Sequence, residues 1–334
     1  MEGVNVAKCS NLYFQTPLLQ STCLSNRFGY DVHLKLENVQ PAGSFKIRGI
    51  SNRCKKAAEE GYTHIVSSSG GNAGLAAAYS GRMLKMPVTV VVPETTPEVM
   101  RNRIKEEGAS VIVKGKVWDE ANSYAMSLTE KPGHFLVHPF DHEDLWEGHA
   151  TMVHEIAASL PRKPSVVVAA VGGGGLLCGV LKGLHDVGWS DVPVVAMETE
   201  GANCLAASIQ AGRVVTIPEI TSLAKCLGAQ TPCEEAYNWT SRHNLISHVV
   251  QDKDALNACL NFADDHQMLV SLACGAALSA VYSGILPSLK NQGKLQALTD
   301  AVVIVCGGNG VTLKRLQEWR DSVGDFHEVL VDLG

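Results

Sequence analysis

The sequence predicts an α/β fold of two open, mainly parallel twisted sheets. Three observations carry that expectation: apolar strand-length runs alternate with helical patterns, glycine-rich turns lie between them, and the alternation resumes after a loop at residues 138–144. In chain order, Val32 to Leu36 has the apolar content of a strand, and Phe45 to Glu60 has helical spacing that stops at Gly61. His64 to Ser68 is the next strand, Asn72 to Leu84 the next helix, and Val88 to Val92 a strand closed by Pro93. Pro97 to Glu107 is helical up to Gly108, Ser110 to Lys114 repeats the strand signal, and Trp118 to Lys131 is the helix after it. Beyond the loop, Trp146 to Leu160 reads as helix, Ser165 to Val171 as a buried strand, Leu176 to Val187 as helix and Val192 to Glu198 as strand. Asp254 to His266 and Ala276 to Asn291 are predicted helices, and Ala301 to Cys306 is a late strand running into Gly307 and Gly308. No fixed-period repeat or low-complexity segment interrupts the pattern.

A chain of 334 residues with 46% hydrophobic content has room for roughly two domains and their cores. The net charge of -6, with no basic run, argues against nucleic acid or an anionic membrane as the main partner. The longest apolar run, around Val166 to Val171, is far below the ~20 residues of a membrane span. The N-terminus lacks a basic stretch followed by an apolar one, so a cytoplasmic location is the expectation. Ten scattered cysteines without a C-x-x-C pair fit reduced thiols better than disulfides or a zinc knuckle. His138, His142, His149 and His154 do not make a zinc site, because Pro139 breaks the spacing of the first pair and no cysteine lies near.

Three segments carry chemistry, each at the expected carboxyl end of a strand, where such sheets bind ligands. Gly43 to Gly49 sets Lys46 between an aromatic residue and a helix-like run, a place where a lysine can carry a cofactor. Ser67 to Gly74 combines hydroxyls, bare backbone and an amide at the mouth of a helix, which suits a small carboxylate; a capped flexible turn is the alternative. Gly172, Gly173, Gly174 and Gly175 leave backbone N–H groups at a helix start, where dipole and unpaired donors favour a phosphate; a tight βα turn is the alternative. This run does not fit G-x-G-x-x-G in any register, which counts against a nicotinamide oxidoreductase even though Glu198 lies where a ribose-binding acid is expected.

In combination the segments GSFKIRG, SSGGNAG, GGGGLLCG, METEGA, ACGAAL and VIVCGGN, in this order, resemble the fold type II pyridoxal-phosphate enzymes, specifically the animal serine dehydratase and serine dehydratase-like group. The resemblance runs from about Thr16 to about Gly310. It implies a tryptophan synthase β-like architecture: a large cofactor-binding domain from residues 1–40 and 141–334, a small substrate-gripping domain from 41–140, and an active site in the cleft between them. It implies pyridoxal 5'-phosphate held covalently on Lys46, with Phe45 against one face of the ring and Cys226 in a position normally held by alanine against the other. Gly172 to Gly175 receive the phosphate, Cys306 faces the ring nitrogen, and Ser69, Gly70, Gly71, Asn72 and Ala73 grip the carboxylate of an amino-acid substrate. Asn72 is also placed to reach the ring hydroxyl.

The same resemblance implies a monovalent cation, K⁺ by preference since oxygen ligands select hard cations, at Glu198, Ala202 and Leu227 with Ala229 a further carbonyl. It also implies a homodimer. The activity implied is β-elimination of L-serine to pyruvate and of L-threonine to 2-oxobutanoate, with ammonia released. Racemisation, β-replacement, or elimination on a serine-like amino acid with a better leaving group are the alternatives within the cofactor class. A protein that has kept the cofactor but lost turnover is another. Three departures bear on this: Gly70 stands where liver-type relatives carry alanine, Ser271 and Leu272 replace a Glu-Pro pair, and Cys226 replaces alanine.

Overall fold

The computed structural model describes residues 11–323. The first ten and last eleven residues of the span expected for the large domain lie outside the described residues. Strand β1 (Leu18–Gln20), helix α1 (Thr22–Phe28) and β2 (Asp31–Leu36) lead into α2 (Lys46–Glu59). Then follow β3 (His64–Ser67), α3 (Asn72–Leu84), β4 (Val88–Val92), α4 (Glu98–Glu106), β5 (Ser110–Val113), α5 (Trp118–Leu128) and β6 (His134–Leu136). The remainder is α6 (Glu143–Ser159), β7 (Val166–Ala170), α7 (Gly175–Asp186), β8 (Val194–Thr199), α8 (Cys204–Ala211), α9 (Glu234–Arg242) and β9 (Leu245–Val250). Helices α10 (Asp252–His266), α11 (Leu272–Tyr282) and α12 (Ile285–Asn291), strand β10 (Asp300–Val305) and helix α13 (Leu313–Val323) complete it.

Two sheets result. One has the order β5-β4-β3-β6 and is parallel throughout; the other has the order β1-β2-β10-β7-β8-β9 and is parallel except for the β1–β2 pair. Helices cover both faces of parallel sheets, so their central strands are apolar on both sides. β7, β8 and β10 are buried at every residue, which is why Val166 to Val171 reads as an unbroken apolar run. The carboxyl ends of β3 and β7 lead into Ser68 and Val171, at the mouths of two of the three informative segments, and β10 leads into Cys306, whose carbonyl meets the third at Phe45.

The helix expected from Ala276 to Asn291 is instead two helices, α11 and α12, that meet at about 50°. Gly284, with φ of 65°, turns the chain there, a conformation a side chain would strain. Helix α6 begins at Glu143 rather than Trp146, because the His142 ring nitrogen Nδ1 accepts from the Asp144 amide and caps it. α5 stops at Leu128, short of the expected Lys131. Among the described residues no single helix is long and apolar enough to cross a bilayer, and every cysteine is a free thiol.

Candidate active site

Lys46 is the first residue of α2, and its position is fixed from the far end of the chain. Ser44 bridges Gly307, the Phe45 amide donates to the Cys306 carbonyl at 2.9 Å, and the Gly308 amide donates to the Gly43 carbonyl at 3.1 Å. Three consecutive backbone contacts therefore lay residues 43–45 alongside 306–308. Phe45 is buried and packs edge-on against His149, with the Lys46 ammonium 5.2 Å from its ring centre. The Lys46 amine donates to the Pro139 carbonyl at 2.5 Å. It is partly accessible yet surrounded by protein, and this desolvation lowers its pKa to about 8. At that value a fraction on the order of a tenth is neutral at pH 7.

The run Gly172 to Gly175 turns from β7 into α7. Gly174 has φ of 94°, and a Cβ on it would lie 2.4 Å from Ala236. A Cβ on Gly173 would enter the Phe140 ring at 2.5 Å. The loop is bare because Phe140 and α9 close on it from outside. Among the described residues no group accepts from the Gly173, Gly174 or Gly175 amides, so three donors converge at the positive end of α7.

Ser69, Gly70 and Gly71 form the turn between β3 and α3, and Asn72 and Ala73 open α3. The Gly71 amide donates to Ser69 Oγ at 3.3 Å, while the buried Ser68 hydroxyl has no partner. Helix α3 has no side-chain cap, so its first amides face the turn. Thr96, from the segment after β4, closes this turn on one side: a Cβ on Gly70 would come 2.6 Å from Thr96 Cγ2 and 2.7 Å from its Oγ1.

Cys306 follows β10 and is buried, with its sulfur 3.3 Å from that of Cys274. Cys226 lies in a single 3₁₀ turn, Lys225–Leu227. Cys226 is exposed, yet its thiol is hemmed in enough that desolvation raises its pKa. Glu198, the last residue but one of β8, has no exposed surface, and its two oxygens accept from the Leu205 and Ala206 amides at 2.9 and 2.8 Å. Burial pushes its carboxyl up to about 7 despite those bonds. Leu227 touches Gly172, which joins the Glu198 region to the glycine run. The Ala202 amide donates to the Thr199 carbonyl and the Ala229 amide to the Leu227 carbonyl, at 2.9 and 2.7 Å. Of these four residues, Leu227 lies directly against the glycine run.

A pyridoxal phosphate needs a reactive amine, a phosphate cup and a partner for its ring nitrogen. A desolvated lysine, three unpaired glycine amides and a buried thiol fit those needs, and the unpartnered Ser68 hydroxyl is a further polar group at the carboxylate turn. The family model for pyridoxal-phosphate dependent enzymes matches residues 9–307. The chain belongs to that family. A serine dehydratase-like protein of Mus musculus is 53% identical over 92% of this chain and 94% of its own length. The L-serine dehydratase/L-threonine deaminase of Homo sapiens is 47% identical over 94% of this chain and 96% of its own. The crystal structure of a fungal L-serine ammonia-lyase from Rhizomucor miehei matches this pyridoxal-phosphate enzyme with a TM-score of 0.87 at 35% identity, covering 93% of this chain and 99% of that one.

Sequence reasoning did not find Pro139, Phe140, Thr96 or Cys274 as parts of the site. Pro139 and Phe140 act through a carbonyl and through bulk, for which no local motif exists. His149 is buried with both ring nitrogens unpartnered, and burial holds its pKa well below the usual imidazole value, so it stands neutral behind Phe45.

Proposed function

We propose that this enzyme removes water from L-serine and L-threonine and yields pyruvate or 2-oxobutanoate together with ammonia. The observation that carries the reading is the placement of the desolvated Lys46 amine, beside the end of β10 and in a protein that also offers an amide-lined glycine turn and a second turn suited to a carboxylate. When bound, the cofactor supplies an electron sink for the substrate α-carbon. The chain's own residues supply the rest. Lys46 Nζ, once free of the cofactor, takes the α-proton, and a pKa lowered by desolvation keeps it competent as a base near neutral pH. The amides of Asn72 and Ala73, with the Ser69 hydroxyl, orient the substrate carboxylate, and those of Gly173 to Gly175 hold the cofactor phosphate. Loss of the β-hydroxyl as water leaves an enamine, whose hydrolysis consumes one water and gives the keto acid and ammonia.

K⁺ at Glu198 belongs to this reading, supported by a buried carboxylate that has no cationic partner among the described residues. So does a cytoplasmic homodimer; nine free thiols among the described residues, two of them exposed, support a reducing compartment. The deciding experiment incubates the reconstituted enzyme with L-serine and measures pyruvate, ammonia and the chirality of the remaining serine. Equimolar pyruvate and ammonia are expected. D-serine accumulating without keto acid would overturn the reading in favour of racemisation.

A further inference from the structure

One group of metal-ligating side chains has no part in the site described above. Cys23 is the second residue of α1, and Asp265 and His266 are the last two of α10. One ligand atom from each, a sulfur, a carboxylate oxygen and a ring nitrogen, lies within 4.8 Å of the other two. The Cys23 sulfur is 3.8 Å from His266 Nε2. Zinc ligands at ~2.3 Å for sulfur and ~2.0 Å for nitrogen stand about 3.5 Å apart on a tetrahedron, so this pair needs little movement to share an ion.

The group is held in place by its surroundings. The His266 ring stacks on Phe262 with centroids 4.5 Å apart and its Nδ1 is buried, so Nε2 is the nitrogen turned toward Cys23. Arg27 bonds both oxygens of Asp265, at 2.9 and 3.0 Å, and the Tyr282 hydroxyl donates to Oδ2 at 2.9 Å. A carboxylate offers about four lone pairs. Oδ2 accepts two of these bonds and Oδ1 only one, so Oδ1 keeps a lone pair for an ion. The buried Ser21 hydroxyl is 2.9 Å from Nε2 and 3.3 Å from the Cys23 sulfur, which places a further oxygen at the same point.

We propose that Cys23, Asp265 and His266 form a Zn²⁺ site that ties the start of α1 to the end of α10, with the Ser21 hydroxyl beside the fourth position. A set of sulfur, nitrogen and oxygen selects zinc over Mg²⁺, Ca²⁺ or K⁺, which favour oxygen alone. Binding displaces the thiol proton to water and selects the His266 tautomer with its proton on Nδ1, and no oxidant or reductant takes part. Arg27 offsets the charge of Asp265, so the thiolate is the main anionic ligand and Cys23 is the residue on which binding turns. With three protein ligands and Cys23 exposed, the site exchanges its ion with solvent, unlike a closed four-ligand structural centre.

The test titrates the holoenzyme with Zn²⁺, and separately with Co²⁺, at fixed pH. One equivalent of Zn²⁺ is expected to raise Tm and to slow alkylation of Cys23 by iodoacetamide, read by peptide mass. Co²⁺ is expected to give a thiolate-to-metal charge-transfer band together with the intense visible bands of a tetrahedral ion. Cys23→Ser and His266→Gln should each weaken Zn²⁺ binding by more than the ~10-fold that loss of an outer-shell partner costs, and should remove the rise in Tm. Alkylation of Cys23 at an unchanged rate in excess Zn²⁺ would overturn the proposal, since any bound ion would then sit on other thiols. So would a cobalt spectrum retained in Cys23→Ser. The alkylation rate is read on the wild type and decides alone if a variant does not fold.

Discussion

Two residues carry sharp tests of the site. Lys46 is at once the amine that holds the cofactor and the base, so Lys46→Ala should lose nearly all turnover and bind cofactor weakly, as measured by the visible absorption of the reconstituted protein. Normal activity with retained yellow colour would exclude its assignment. Gly70 is the second. From the sequence, its missing Cβ leaves the carboxylate turn freer than in relatives with alanine, which suggests that Gly70→Ala would help serine turnover. The structure reverses the sign, because the side chain of Thr96 occupies that space at 2.6 to 2.7 Å. Gly70→Ala alone should therefore lower kcat/KM for serine, by about tenfold for each ~1.4 kcal/mol of misplacement. Thr96→Ala added to it should recover the loss, giving a coupling that neither single change shows. Additive effects would mean that the turn and Thr96 act independently.

At the scale of elements, β8 and α8 form a unit through Glu198, whose carboxylate caps the first turn of α8. Its carboxyl stands at about 7 in the fold against 4.5 ordinarily, because of burial. Between those values the native state binds a proton that the unfolded chain has lost, so stability should fall as pH rises through the window, by up to ~3 kcal/mol. A coordinated K⁺ would favour the ionised form. The rise in Tm of the apoprotein on adding K⁺ should then grow with pH across the same window and vanish in Glu198→Gln. A pH-independent K⁺ effect, or one retained in the variant, would place the ion elsewhere. The glycine runs and Glu198 were legible in the sequence because each lies within one βα unit, where a few residues set the local geometry. Thr96, Phe140 and Cys274 were not, since each reaches the site from another element and nothing in its own neighbourhood marks it. Short elements escaped for a related reason: β1 has three residues and owes its existence to pairing with β2 rather than to its own pattern.

At the scale of the molecule, α2 joins the two sheets, and the arginine of the GSFKIRG segment is what seats it. Arg48 has no exposed surface and reaches Glu37 at 2.7 and 2.8 Å and Glu155 at 2.7 Å from each terminal nitrogen; Thr151 accepts a further bond. Lys35 completes the charge balance at Glu155, and the Thr16 hydroxyl donates to Glu37. Burial opposes the charge on Arg48, but its bonds to Glu37 and Glu155 outweigh that and hold its pKa above the ordinary value. The motif carries a site residue and a structural residue two positions apart: Lys46 reaches the Pro139 carbonyl while Arg48 locks the same helix turn to the turn after β2 and to α6. Removing one partner of such a buried set is costlier than the set is stabilising, since the remaining charges stay desolvated. Arg48→Ala should therefore destabilise the protein by about 3 to 5 kcal/mol, seen as a lower denaturant midpoint, with Glu37 left buried and unpaired. Because the same turn carries Lys46, cofactor affinity should fall with it, even though Arg48 and Lys46 reach different partners. Arg48→Lys should recover little of either, as an ammonium cannot serve two carboxylates in the plane of a guanidinium. A denaturant midpoint within experimental error of wild type in Arg48→Ala would show that α2 is held by its apolar face alone.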